Sequence, residues 1–334
     1  MNLPPSSRQP TRAAWSRDRL VHERAVALGF ALEPSSISSY SSALQSYISF
    51  CRLHNFPVEP TPDTLSFFVV YMCSHIKPTS VKSYLSGICN QLEPFFPNVR
   101  SVRRHTLVTR TLLGCTKRRA TPTSRRRPLS RDELSVIHTS LSTSPDHDDI
   151  LFLTILSTTF HGLMRLGENV WPDQTSLQDY RKVILRSSVT TTPDSFAFLL
   201  PGHKADRLFE GNRILIHRAT AGDAPLSAFT NYISSRDHLF ALKPELWLRR
   251  NGSIPTRHWF LSRLLALLPN PTDIGGHSLR AGGATYYAIT GVPSHIIRAM
   301  GRWKSDTFEI YIRQHPALLA ALLFSSTAQD NPLV

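Results

Sequence analysis

Four side chains in the last quarter of the sequence, His277, Arg280, Trp303 and Tyr311, have the chemistry to act together on a phosphodiester. They lie in one run, GGHSLRAGGATYYAITGVPSHIIRAMGRWKSDTFEIYIRQH, over 275–315. A phosphodiester can be cut without a metal if three things are supplied. These are a nucleophile, positive charge around the non-bridging oxygens, and a proton for the leaving oxygen. Tyrosine suits the first role, because its phosphate ester is stable enough to wait and reactive enough to reverse. Its pKa of about 10 must be met by a neighbouring base or positive charge. Arginine suits the second, being always charged and presenting a planar donor fork to phosphate oxygens. His277 and Arg280 are three residues apart and share one face of a helix. Trp303 follows an expected helix stop at Gly301 and carries one indole N–H donor. Taken singly, His277 reads equally as a helix cap and Trp303 as a core aromatic. Tyr286 and Tyr287 are nearer His277 in sequence but are expected to face the core.

The acidic residues offer no set of the kind a two-metal nuclease uses. Asp146, Asp148 and Asp149 are clustered, but they stand just ahead of an apolar helix and read as N-terminal helix charges. Cys51, Cys73, Cys89 and Cys115 form no CxxC pair, so buried reduced thiols are expected rather than zinc. The expected chemistry therefore has no metal and no other cofactor. The formal charge of +14 favours a polyanionic partner, a property shared with ribosomal, histone-like and membrane-surface proteins. With 17 Phe and 5 Trp the chain has the material for a packed core, which separates it from charged tail proteins. No apolar run approaches the ~20 residues of a membrane span. Arg8, Arg12 and Arg17 are followed by no apolar segment of a secretory signal.

The elements that position these residues follow from punctuation and periodicity. Residues 1–32 read as a flexible basic arm with a docking helix from Ala13 to Leu28, bearing Trp15, Leu20, Val21, Ala25 and Leu28. Residues 33–116 read as an all-helical domain. Its first helix carries Ile37, Tyr40, Leu44, Tyr47, Ile48 and Cys51 on one face. Its second follows the cap pair Thr61-Pro62, its third starts at Pro78, and its fourth runs from Val99 to Leu113. Lys77, Lys82, Arg100, Arg103 and Arg104 lie near helix starts or on polar faces, where they suit phosphate contacts or an ordinary solvated face. Residues 117–128, KRRATPTSRRRP, form a linker with six basic residues: Lys117, Arg118, Arg119, Arg125, Arg126 and Arg127. It reads as a clamp crossing a phosphate backbone, a nuclear-import signal or a protease-sensitive tether. Ser130 and Glu133 form a capping box that opens the second domain, 129–325. There, strands are predicted at 182–186, 196–200 and 213–217, with a hairpin tip holding Lys204 and Arg207. Arg257 and His258 fall in the first turn of a helix at 256–267 and are candidates for base contacts. An apolar helix at 316–325 precedes a tail, 326–334.

These residues resemble the tyrosine recombinases, the phage-integrase-like or Cre-like family, and more narrowly those of eukaryotic DIRS and Crypton mobile elements. The resemblance rests on HGLMRLGE with Arg165 and Glu168, LPGHKADR with Lys204, GGHSLRAGG with His277 and Arg280, GRWKSD with Trp303, and FEIYIR with Tyr311. The separations, 23 residues from Arg280 to Trp303 and 8 from Trp303 to Tyr311, are those of the family pattern. It covers 129–325, and TPDTLSFFVVYM and KPTSVKSYLSGI resemble the family's core-binding domain. The resemblance implies a mainly helical α+β chain: a SAM-like helical DNA clamp and a helical catalytic domain with a small antiparallel sheet. Duplex DNA is gripped between the two. Tyr311 becomes the nucleophile and Arg165 and Arg280 the clamp, with Glu168 supporting Arg165. Lys204 is the acid for the leaving oxygen, with Arg207 as its alternative in the same loop. His277 assists, and Trp303 positions the phosphate. The resemblance also implies a homotetramer on paired DNA sites, assembled through the 316–325 helix, and, with the basic runs, a nuclear location. A catalytically silent DNA-binding relative and a type IB topoisomerase-like enzyme are the alternatives on the same residues.

Overall fold

The computed structural model describes residues 12–29, 31–119, 126–202, 211–217 and 225–303. The chain divides into two compact units, Met1–Thr123 and Ser124–Val334. The first unit is helical. α1 (Arg17–Gly29) buries none of its residues, so the Trp15–Leu28 stripe expected to dock it lies exposed. α2 (Pro34–Leu53), α3 (Pro62–Met72) and α4 (Pro78–Leu92) each begin with proline, whose missing N–H costs nothing at a helix start. Thr61 caps α3 by accepting from the Thr64 N–H at 3.1 Å. The buried face of α2 is Ala43, Tyr47, Phe50 and Cys51, rotated from the predicted stripe so that Ile37 is exposed. This face packs with Phe68, Val69, Leu85, Ile88 and Val108 into one core, and Tyr47 and Phe50 meet Phe68 edge-on at 5.4 Å.

The predicted fourth helix is in fact two, α5 (Val99–Arg104) and α6 (Thr106–Arg118). His105 separates them: its ψ of 141° is extended, and its Nδ1 accepts from the Leu107 N–H at 3.2 Å. A side chain that caps a new helix has ended the old one. Cys51, Cys73 and Cys89 are buried free thiols, and Cys115 is half-buried.

The second unit is built around α8 (His147–His161), which is buried over most of its length. Asp146 caps it, accepting from the N–H groups of Asp148 and Asp149 at 2.9 and 3.1 Å. Asp148 and Asp149 pair with Arg249 and Arg263. Before it comes α7 (Arg131–Leu141), with Ser130 and Glu133 closing the expected capping box. After it comes a single turn, α9 (Leu166–Asn169). Residues 182–186 are not a strand: the chain there makes 3-10 turns at 180–182 and 186–188, with one isolated bridge between Leu185 and Glu245. The strand on this side is β1 (Thr190–Thr191). It pairs antiparallel with β2 (Ser195–Leu200), which pairs antiparallel with β3 (Asn212–His217) in the register Ser195 to His217 and Leu200 to Asn212. The aromatic face of β2 packs on α10 (Pro225–Leu239), Phe196 stacking on Phe229 at 3.8 Å.

α11 (Arg257–Leu267), α12 (Gly276–Ile289) and α13 (Ser294–Met300) follow among the described residues. α12 lies backbone to backbone against its neighbours. A Cβ added at Gly282 would collide with the Leu129 carbonyl, and one at Gly283 with the Phe160 carbonyl of α8. Neither obstacle is a flexible side chain, so the helix would have to move. Gly283→Ala is therefore expected to lower stability by about 1–3 kcal/mol, the usual cost of overpacking. Urea unfolding of the variant beside the parent chain measures it.

Candidate functional site

α12 carries His277 in its first turn and Arg280 one turn on. Gly276 ahead of them is a position with no room for a side chain. A Cβ there would stand 2.9 Å from the Arg257 guanidinium and 2.9 Å from Leu166, next to Arg165. Gly275 is likewise covered by the Arg126 side chain, which donates to the Ile274 carbonyl. The start of α12 is thus flanked by arginines from the end of the 117–128 segment and from α11. The Arg280 guanidinium is 1% exposed. It donates to the Gly301 carbonyl just past α13 and lies 4.3 Å from the Trp303 ring centroid. The Trp303 ring lies flat against Gly301, in space that any Cβ on that residue would fill. Cation–π contact and hydrogen bond together fix Arg280 between two helices.

Arg165 stands at the start of α9 with an extended backbone, φ −79° and ψ 137°. This place at the helix cap turns its own N–H and guanidinium toward one carboxylate. Glu168 accepts from the Arg165 backbone N–H at 2.9 Å and from its guanidinium at 3.0 Å. The Arg165 side chain is 32% exposed while that of Glu168 is 6% exposed, so the pair leaves the arginine face open. Burial and the charges of Arg280 and Arg165 push the His277 imidazole below its ordinary value of 6.5. Both arginines therefore act electrostatically on the ring, and the neutral imidazole is favoured near pH 7.

One residue of this cluster escaped the sequence reading. Arg302, between Gly301 and Trp303, has a side chain that is 8% exposed and donates to Glu168 at 3.2 Å. The only sequence signal was its adjacency to Trp303, because its partners at 163 and 168 are far away along the chain.

The structure brings together Arg165, Glu168, His277, Arg280 and Trp303, with Arg257 and Arg126 alongside. Tyr311, Lys204, Arg207, Arg125 and the helix expected at 316–325 lie outside the described residues. His258 is exposed, and its backbone N–H donates to Asp173 at 2.7 Å. Arg127 is engaged within the protein: it is bidentate with Glu133 at 2.6 and 2.8 Å and donates to the carbonyl of Asn270. In the first unit Lys77, Lys82, Arg104, Lys117 and Arg118 are exposed. Arg100 is paired with Glu93 at 2.7 Å, Arg103 donates to the Lys82 carbonyl, and Arg119 donates to that of Cys73. Tyr287 donates its hydroxyl to the His161 carbonyl at 3.0 Å, and Tyr286 stacks against Arg131.

Among solved structures, the chain is similar to the XerH site-specific recombinase in a post-cleavage complex with palindromic difH substrate. The TM-score is 0.60 at 15% identity, over 88% of this chain and 79% of that one. The chain has the tyrosine-recombinase fold. A lambda integrase tetramer bound to a Holliday junction has a TM-score of 0.54 at 14% identity, over 88% of this chain and 76% of that one. The Tn1549 transposon integrase in complex with transposon right end DNA has a TM-score of 0.51 at 10% identity, over 89% and 99%. No family model matches the chain, and no curated protein sequence matches it. In this fold the mainly helical α+β architecture read from the sequence is realised, a small three-stranded antiparallel sheet included.

The depressed His277 value has a thermodynamic sign. The folded chain holds this proton less readily than the unfolded chain, so the unfolded state gains protons first as pH falls below 6.5. The contribution to stability is present above that value and is lost as pH falls through the folded value. The ring's NMR titration should have its midpoint below 6.5, and His277→Gln should flatten the fall of stability with acid in that window.

Proposed function

We propose that this protein is a site-specific DNA recombinase, cutting and rejoining strands through a covalent phosphotyrosyl intermediate without ATP or metal. The observation that carries the reading is the convergence of Arg165, His277 and Arg280 beside Trp303 at one end of α12. It is supported by a fold shared with recombinases solved on DNA.

In this scheme one scissile phosphate sits between the Arg165 and Arg280 guanidinium groups, which meet its two non-bridging oxygens as charge builds in the transition state. The Tyr311 oxygen attacks phosphorus, and the bond to the leaving DNA oxygen breaks. Lys204, in the sequence between β2 and β3, gives that oxygen its proton, with Arg207 as the alternative donor. The neutral His277 imidazole accepts the tyrosine proton or donates an N–H to a phosphate oxygen. The Trp303 indole packs on Arg280 and directs its N–H to the phosphate. Each step conserves the phosphodiester bond energy, so the reverse attack by a DNA hydroxyl reseals the strand.

Double-stranded DNA is the partner. The exposed Lys77, Lys82, Arg104, Lys117 and Arg118 contact its phosphates, and Arg257 and His258 face its bases. The 316–325 helix links protomers into a tetramer on paired sites, and the nucleus is the compartment.

The test uses a duplex recovered by repeated selection from random-sequence DNA, nicked so that the freed strand is lost after cleavage. Incubated in chelator, the full chain should form a DNA adduct that survives a denaturing gel, and Tyr311→Phe should form none. An adduct in Tyr311→Phe removes that residue as nucleophile. A wild-type chain that binds the selected duplex and forms no adduct contradicts the enzyme reading.

A further inference from the structure

Arg302 bears three energetic costs at one position. Its φ of 54° lies in the left-handed region, where a residue with a Cβ is disfavoured. Its guanidinium is withdrawn from water, at 8% exposed. Its Nε–H finds no partner among the described residues. The backbone role alone would be better served by glycine. Arg302 is the left-handed residue that closes α13: its N–H donates to the Ala299 carbonyl at 3.0 Å and that of Trp303 donates to the Arg298 carbonyl at 3.2 Å. A residue strained in this way, beside a functional cluster, marks a side chain retained for something other than the turn.

What the side chain does is visible in its bonds. One nitrogen donates to the Met300 carbonyl at 3.1 Å, and the other to Leu163 at 3.2 Å and to Glu168 at 3.2 Å. Leu163 is itself left-handed, with φ 46°, at the end of α8. The Glu168 carboxylate thus takes three donors: the Arg165 N–H, the Arg165 guanidinium and Arg302. On the other side of the same short loop, Arg280 holds the Gly301 carbonyl. The loop at 301–303 is gripped by both arginines of the proposed phosphate clamp, directly by Arg280 and through Glu168 by Arg165. From Trp303 the chain runs on to Tyr311, eight residues away. The charges agree with this. A carboxylate bonded to Arg165 alone would cancel the charge a phosphate needs, whereas one shared with Arg302 leaves the group net positive at its exposed face.

We propose that Arg302 is a positioning residue that ties the Trp303 loop to Arg165 through Glu168, so that both clamp arginines and Trp303 hold one register. The proposal rests on the recombinase reading for its catalytic consequence but not for its geometry.

The decisive variant is Arg302→Gly, which suits the left-handed backbone and removes only the side chain; Arg302→Lys restores charge without the fork. With the full chain, hydrogen exchange is measured on peptides covering 165–168 and 299–303. Both should exchange faster in Arg302→Gly, although glycine by itself would strengthen the turn. Single-turnover adduct formation on the nicked duplex should fall about 10²-fold, the scale expected when a clamp group is misplaced by an ångström. DNA affinity and the unfolding temperature should stay near the parent values, and Arg302→Lys should recover part of the rate. Unchanged exchange at 165–168 overturns the proposal, as does an adduct rate within about threefold of the parent. A rate loss matched by a collapse of the unfolding temperature also overturns it. If the parent chain forms no adduct, the recombinase reading fails alone, and the exchange measurement still decides whether Arg302 ties the loop to Arg165.

Discussion

The contact on which the site depends is the backbone-to-backbone approach of α12 to α8. Gly283 leaves room for the Phe160 carbonyl of α8, and Gly282 for the Phe160 ring and the Leu129 carbonyl. That closeness sets the depth of Arg280, which must reach the Gly301 carbonyl and lie against the Trp303 ring at the same time. It also places the start of α12 beside α9 and α11, so that Gly276 is covered by Leu166 and Arg257. Packed interiors yield little to small displacements. A methyl group wedged between α12 and α8 would therefore be felt at Arg280, within a turn, and at His277, less than two turns away.

On this frame the electrostatics follow from one nearly buried carboxylate among several guanidinium groups. Glu168 is held by Arg165 and Arg302, and its charge is divided between them. Arg280 donates to the Gly301 carbonyl and lies against the Trp303 ring. Burial, together with this concentration of positive charge, depresses the His277 imidazole, and Arg165 stays partly exposed. Such an arrangement costs stability in the absence of an anion and is offset when one is bound.

Much of this was legible in the sequence where the relevant physics is local. The spacing of His277 and Arg280, the Ser130–Glu133 capping box and the proline starts of α2, α3 and α4 depend on neighbours within one turn, and the structure has them. The errors fell where a local pattern had a distant or subtler competitor. Residues 182–186 hold a Val-Ile-Leu run that suits a strand, but only Leu185 finds a bridge partner, and the chain turns on either side. His105 looks like any helical residue until its ring caps the helix that follows it. Arg127 counts as linker charge in composition, yet Glu133 and the loop at 270–272 engage its donors. Arg302 offered only its adjacency to Trp303, because its contacts are to 163 and 168 and its backbone angle is one that its residue type does not announce.

The central claim is that Arg165 and Arg280 act on the charge of a single phosphate, and it can be tested by removing that charge from the DNA. The selected duplex is made with a neutral methylphosphonate at the scissile position, and strand cleavage is timed for the parent chain and for Arg165→Met, whose side chain is partly exposed. The account predicts that Arg165→Met is severely slowed on the natural phosphodiester and much less so on the neutral linkage. Equal loss on both substrates would contradict it, because Arg165 would then contribute something other than charge stabilisation at the reacting phosphate.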